Sequence, residues 1–579
     1  MIKLWPDYSK PVYETDFQIF LFENDFKTIF PEIFCILASV ILLVYGVVYA
    51  RIHERKPLPV LRLARIFPPI MVQNVSWLGI LAFILTLVLL SNNPITHASI
   101  FYNTLVCDDY TFFGKNLIIC SALLSVCIAL DYVRKQAVNA FEYIILILLA
   151  TCSMLFLISS ADMISMYLAI EFQSLCFYVL AAFNRNSEFS TEAGLKYFVL
   201  GAFSSGILLF GCSLVYGFTG ITHFSELTKI LCCTVPGEAG FTGALIGIIF
   251  IAVGFLFKIT AVPFHAWAPD VYEGAPTPVT AFFAITPKIA IFGLFVRLFE
   301  SSFYDLNYLL GPLSALSTPT TFYRPFMAVN SDMSATPTGQ TLTSDLGRPL
   351  IELIEVNSVA GPWQKIFIFC SIASMLVGAL GAMNQKKIKR LLAYSSIGHV
   401  GYLLIGLCCG TVEGIQALLI NLSAKFTMTI NIFAIILCPV RRDFVHSVQR
   451  VKYIADLSVL FKTNPILALT LAINLFSMAG LPPLAGFWGK YYLLFSAFSC
   501  DLYLVAIIGG VATVFSSVYY IRLVHISYFE KIQNRLIFER VPRLNAWVLG
   551  LTLLFIILLF LAPDLLFLIC HKAALSLCY

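Results

Sequence analysis

Charge is what this sequence has least of: Asp, Glu, Lys and Arg make up 12% of its 579 residues, against 59% hydrophobic residues. At a mean hydropathy of +0.88, a soluble fold has nowhere to hide so much apolar surface, which excludes the soluble classes. The sixteen cysteines stand singly or as adjacent pairs (Cys232–Cys233, Cys408–Cys409) with no CxxC, so neither a zinc nor an iron–sulfur site is indicated. They read as small buried apolar residues. Of eight histidines, only His399 lies well inside an apolar run, whereas a haem in a helix bundle needs facing axial histidines. Without a GxGxxG or Walker loop, no binding of NADH, flavin or ATP is expected. The aromatics, 14% and mostly Phe, suit lipid-facing and helix-packing surfaces rather than nucleic acid. The first 30 residues lack the basic start, short apolar core and small-residue cleavage site of a signal peptide, so insertion from the side of synthesis is expected.

What the sequence does have is apolar runs of membrane-spanning length. Division at about 20 residues each places roughly fourteen helices near 31–50, 72–91, 114–131, 141–159, 161–182, 195–216, 243–262, 278–299, 365–383, 393–410, 414–438, 464–487, 502–524 and 545–569. The fold class is therefore an all-α polytopic membrane protein. Basic residues fall in alternate loops: Arg51, Arg55, Lys56, Arg62 and Arg65, then Arg134 and Lys135, with later clusters near 386–390, 441–462 and 531–543. By the positive-inside rule these loops face the cytoplasm or matrix, with both termini on the other side. Four segments follow: an N-terminal extension (1–30), a first membrane part (31–300), a hydrophilic insertion rich in Ser, Thr, Pro and Gly (301–362), and a second membrane part (363–579). Two helices are interrupted by proline: the seventh in GFLFKITAVPFHAW and the twelfth in FSMAGLPPLAGFWGKYYLL. Paired breaks of this kind point to inverted repeats, placed at helices four to eight and nine to thirteen, with a site at mid-membrane.

The scarce charges that do occur within the runs are the candidates. A charge in hydrocarbon costs about 2.5–3.5 kcal/mol on insertion scales, so it normally marks an ion or proton path. Glu171 stands mid-way along the fifth helix, and Lys258, five residues before Pro263, is its natural partner; a static ion pair locking two helices is the other reading. Lys288 follows Pro287 about ten residues into the eighth run, too deep to snorkel easily, and a buried lysine can release and take back a proton. His399 suits a relay beside Ser395, Ser396 and Tyr402, or is a neutral hydrogen-bonded histidine. Lys490, beyond the twelfth helix's break, and Lys196, near the start of the sixth helix, are further candidates.

The segments STEAGLKYFVLGAFSSGILLFG, FLFKITAVPFHAWAPDVYEGAPTPVTAFFA, KIKRLLAYSSIGHVGYLLIG and AGLPPLAGFWGKYYLLFSA carry a resemblance. Together they resemble the subunit 2 family of mitochondrial NADH:ubiquinone oxidoreductase (complex I), nearest to its plant and algal form, within the antiporter-like superfamily. The resemblance covers nearly all of residues 30–300 and 363–575. It implies a fourteen-helix membrane-arm subunit of the mitochondrial inner membrane that moves protons. NADH, FMN, iron–sulfur clusters and ubiquinone would be held by partner subunits. It implies basic loops in the matrix, with both termini and the insertion on the intermembrane-space side. Glu171 and Lys258 match the family's paired carboxylate and lysine, Lys288 its central lysine, His399 its second-half histidine and Lys490 its twelfth-helix lysine. Neighbouring antiporter-like subunits and lipids are the implied partners; the extension and the insertion, atypical of the family, are places for accessory subunits. Lys425, in NLSAKFTMTI, stands where the resemblance leads one to expect an uncharged residue and is left outside the set. The rival readings are a free-standing sodium or potassium/proton antiporter and a non-conducting scaffold.

Overall fold

The computed structural model describes residues 14–54, 70–93, 98–136, 141–233, 239–303, 362–438, 440–442, 445–449, 451–530, 536–538 and 540–578. The expected insertion lies outside them except for residues 301–303 and 362. Among the described residues, thirteen helices are long and apolar enough to cross a membrane. In chain order the first are α1 (Glu14–Glu54), α2 (Ile70–Ser91), α3 (Asp109–Gln136), α4 (Glu142–Ser159), α5 (Met163–Ala181) and α6 (Glu188–Thr219). A short α7 (Phe224–Cys233) precedes α8 (Ala239–Ile259), α9 (Trp267–Gly274) and α10 (Thr277–Leu298). After the insertion come α11 (Pro362–Met383), α12 (Ile388–Cys409) and α13 (Val412–Ile436). The interrupted pair α14 (Pro465–Ala479) and α15 (Ala485–Ser499) makes up the expected twelfth span, and α16 (Tyr503–Phe529), α17 (Arg543–Leu561) and α18 (Asp564–Cys578) close the chain. A hairpin at one end pairs Ala98 with Cys107, and a three-stranded sheet joins 440–442 to 445–449 and 536–538.

Local chemistry sets the helix ends. The Ser187 hydroxyl accepts from the Ser190 N–H at 3.1 Å and caps α6, satisfying a donor that a first turn leaves orphaned. Thr411 does the same for α13 through the Gly414 N–H. Two boundaries depart from the sequence reading. The helix begins at Glu14, inside the expected extension, and passes Pro31 unbroken; Glu14, Asp16, Glu23 and Asp25 lower the hydropathy there without lowering helix propensity much. The expected last helix is split, because Pro563 has no N–H to continue α17.

Both interruptions share one geometry. At the end of α8, Thr260 adopts φ +69°, its N–H bonds the Phe257 carbonyl, and the Ala261 N–H bonds the Leu256 carbonyl. At the end of α14, Gly480 adopts φ +89°, its N–H bonds Ser477, and Leu481 bonds Phe476. Each is a Schellman turn followed at once by proline-bearing chain. The first is strained: a β-branched residue stands where the second has glycine.

The layering runs from apolar outside to charged inside. Helices α1, α2, α6 and α17 expose Leu, Val, Ile and Phe on their outer faces, whereas every residue of α10 is buried, as is α13 from Ala417 to Ile436. Close backbone approach replaces hydrophobic driving force in lipid: a Cβ on Gly378 would come 2.4 Å from the Gly398 nitrogen, so α11 and α12 touch main chain to main chain. The helices hidden deepest are those that carry Lys288, His399 and Lys425.

Candidate functional site: a buried row of titratable groups

The site starts on α5. Glu171 accepts from the Ser174 hydroxyl at 3.5 Å through one carboxylate oxygen, and its other oxygen is buried with no hydrogen-bond partner. Lys258, on the last turn of α8, feels that carboxylate electrostatically, but the two do not form a direct ion pair among the described residues. The expected pair is thus a pair across a gap. Lys258 instead lines a cavity shared with Lys288, Thr260, Tyr197, Trp267 and Tyr272, so the gap on its other side leads to the next lysine.

Lys288 sits in the middle of α10, directly after Pro287. Proline at 287 cannot bond the Phe283 carbonyl, and the Tyr272 hydroxyl donates to that carbonyl at 3.3 Å. The Lys288 ammonium donates to the hydroxyls of Ser396 (3.1 Å) and Thr260 (3.4 Å). Ser396 belongs to α12, so Lys288 touches both parts of the membrane domain. Tyr272 also borders a second cavity, lined by Ser395, Ser396, His399, Lys425 and Thr429. Tyr272 is held there from outside: Arg390 donates to Asp270 at 2.7 Å, and Lys387 binds Glu273, tying α9 to the start of α12.

In the second part, Lys425 reaches the Ser396 carbonyl at 3.5 Å. His399 Nε2 lies 3.3 Å from the Tyr520 hydroxyl, which is 2.6 Å from Ser395 Oγ, while His399 Nδ1 is buried with no partner. The charges His399 feels are those of Lys425, Lys490 and Lys288, in that order. Lys490 donates to the carbonyls of Met478 (2.9 Å) and Ala479 (3.0 Å) and stands 5.5 Å from the centroid of the Tyr402 ring. Those carbonyls are the unsatisfied C-terminal end of α14, so the broken helix and the cation complete each other.

The row therefore runs Glu171, Lys258, Lys288, Ser396 with Lys425, His399 with Tyr520, and Lys490. Lys196 is not in it. Its side chain is 41% exposed and paired with Glu192 and Asp270 at 2.7 and 3.2 Å; the apolar run around it hid that one helix face meets the acidic α9. Sequence reasoning set Lys425 aside, although it meets the same test of a charge inside an apolar run, and missed Thr260, Tyr272 and Tyr520, whose polar tips carry no sequence signal. Lys425 lies within electrostatic reach of Lys288, and His399 within reach of Lys425, Lys490 and Lys288, so a proton gained on one of these groups alters the cost of the next in a low-dielectric interior. Among the described residues no group of three or more His, Cys, Asp or Glu side chains could hold a metal ion.

Residues 160–332 and 349–516 match the NADH:quinone oxidoreductase/Mrp antiporter transmembrane family. The chain is 50% identical over 562 residues to NADH-ubiquinone oxidoreductase chain 2 of Marchantia polymorpha, covering 96% of this chain and 100% of that one. It is 38% identical over 509 residues to NADH-quinone oxidoreductase subunit N of Paramagnetospirillum magneticum, covering 88% and 89%. Among solved structures, a chain of respiratory complex I from Thermus thermophilus with bound aureothin superposes with a TM-score of 0.68 at 26% identity, over 93% of this chain and 98% of that one.

Proposed function

The chain belongs to the NADH:quinone oxidoreductase/Mrp antiporter membrane family, and from that premise we propose that it is the proton-translocating second subunit of the membrane arm of mitochondrial complex I. It is a multi-pass protein of the mitochondrial inner membrane. Electron transfer from NADH to ubiquinone, with FMN and iron–sulfur clusters, takes place in partner subunits. This chain moves protons in response, through Glu171, Lys258, Lys288, Lys425, His399 and Lys490.

The observation that carries the proposal is the contact of Lys288 with Ser396, which joins the cavity beside Lys258 to the cavity beside His399. A proton on Lys288 is handed through the Ser396 hydroxyl toward Lys425 and His399, and the Tyr520 and Ser395 hydroxyls keep the imidazole within reach. Lys490 holds the end of the row against α14. Charge on one group alters its neighbour's proton affinity, which links a change at Glu171 to one at Lys490. Lys196 acts outside the row, on α9. The matching Schellman ends of α8 and α14 support an inverted relation between helices four to eight and nine to thirteen. The basic loops face the matrix; both termini and the 301–362 insertion face the intermembrane space, where the insertion and the N-terminal extension meet accessory subunits. Neighbouring antiporter-like subunits flank the chain in the membrane, with lipid on the remaining apolar face.

Native-gel separation of solubilised membranes, with in-gel NADH oxidation and mass spectrometry, tests the assignment. The chain should migrate with a very large NADH-oxidising complex. Migration as a small assembly that exchanges sodium or potassium for protons in vesicles would replace this reading with a free-standing antiporter.

A further inference from the structure

A second buried ion pair lies away from the row. Lys115, in the second turn of α3, meets Glu32 of α1 at 2.6 Å, with side chains only 4% and 1% exposed. The sequence reading passed over both, because each stands at the edge of an apolar run. The Cys107 thiol is 4.0 Å from the Lys115 amine, and the Cys152 thiol lies against the Glu32 main chain at 3.8 Å. Among the described residues, Asp108 and Arg297 lie within electrostatic reach of this group, themselves paired at 3.1 Å with Asp108 21% exposed. Polar contacts then run along the face shared by α3 and α10. Arg297 stands 5.7 Å from the centroid of the Tyr110 ring, the Tyr110 hydroxyl donates to the Gly293 carbonyl at 2.8 Å, and Ser121 Oγ donates to Thr286 Oγ1 at 3.1 Å. Thr286 is two residues from Lys288 on the same helix. A carboxylate and an amine this dry add little stability over a well-packed apolar pair, yet at 2.6 Å they are close enough for a proton to pass once the ammonium turns an N–H onto the carboxylate, whose oxygens have no other hydrogen-bond partner.

We propose that Glu32 and Lys115 form a second proton-exchanging site, which passes protons between the α3–α10 face and the Asp108 end of the bundle. The inference rests on the proton-translocating reading above. In the exchange, an N–H bond of the Lys115 ammonium breaks and its proton forms an O–H bond on Glu32 across 2.6 Å, leaving both groups neutral. Glu32 then releases that proton to water at the Asp108 end. The free Lys115 lone pair takes a new proton from water on the α3–α10 face. One proton has entered, one has left, and the pair is restored.

The test uses the assembled complex in inner-membrane vesicles and reads protons moved per NADH oxidised. Lys115→Arg keeps a cation against Glu32, but guanidinium does not release a proton in proteins. Loss of proton yield in assembled Lys115→Arg, comparable to that of Lys288→Met, is expected. Wild-type yield in Lys115→Arg alongside a loss in Lys288→Met overturns the inference and leaves the pair as a static clamp. Should Lys115→Arg not assemble, the neutral double variant Glu32→Gln/Lys115→Met decides. Assembly with reduced yield supports exchange, whereas full yield or failure to assemble overturns it. Full yield in Lys288→Met would instead strike at the proton-translocating reading itself, which keeps the two failures apart.

Discussion

Thr260 offers the sharpest separation of stability from transport. Its φ of +69° places a β-branched residue in the left-handed region, at a cost of about 1–2 kcal/mol. Glycine, which stands at the matching position 480, would relieve that strain but loses about 0.5–1 kcal/mol through greater backbone freedom in the unfolded chain. Thr260→Gly also removes the hydroxyl that accepts from Lys288 at 3.4 Å, a long bond at the weak end of the roughly 0.5–1.5 kcal/mol range. The sum lies within about 1 kcal/mol of zero, so the complex should assemble normally. Transport should not survive as well, because Lys288 loses one of its two hydroxyl partners on the side of Lys258. Dye-quench measurement of acidification per NADH oxidised, in vesicles matched for complex content, should show a lower yield for Thr260→Gly and a near-normal one for Thr260→Ser. Equal yields for Thr260→Gly and wild type would refute the argument that strain is retained there for the sake of the hydroxyl.

Three other substitutions follow from the same geometry. A Cβ at Gly486 would lie 1.9 Å from the Ser477 carbonyl oxygen, so Gly486→Ala should pry α15 from α14 at a cost of about 1–3 kcal/mol, seen as less assembled complex on a native gel. Tyr520→Phe removes the hydroxyl shared by His399 and Ser395; leaving those buried groups short of a partner costs about 1–3 kcal/mol, and proton yield should fall more than complex content. Lys196→Met should leave proton yield near wild type, since its ion pairs are exposed and its side chain is outside the row; a loss as deep as that of Lys258→Met would return Lys196 to the path.

Much of this molecule is legible in the sequence because a bilayer admits so few solutions for the backbone. Runs of twenty apolar residues and two proline breaks define the spans, and the rarity of charge makes Lys258, Lys288, His399 and Lys490 conspicuous. What escapes is everything set by side-chain direction or by a partner far along the chain. Lys196 and Lys425 sit in comparable apolar contexts, yet one meets the acidic α9 near the surface and the other is enclosed beside Ser396. Glu32 and Lys115 are separated by more than eighty positions and gain meaning only once α1 packs near α3. The split after Leu561 escapes a hydropathy window because Pro563 changes backbone geometry while barely changing mean hydropathy.

The broken helices and the buried lysines are two sides of one arrangement. A continuous α14 would consume its own carbonyls and leave the Lys490 ammonium with nothing to bind in the bundle interior. Breaking it at Gly480 frees the Met478 and Ala479 carbonyls to accept from that cation. In the first part the break at Thr260 serves the neighbouring lysine differently, turning a hydroxyl toward Lys288 rather than bare carbonyls. Main-chain oxygens bind a proton donor but do not themselves pass a proton along, whereas a hydroxyl can both accept and donate. The difference between Thr260 and Gly480 at otherwise matching turns therefore leaves Lys288, in the middle of the row, on hydroxyls that can relay a proton, and Lys490, at its end, on carbonyls that can only hold one.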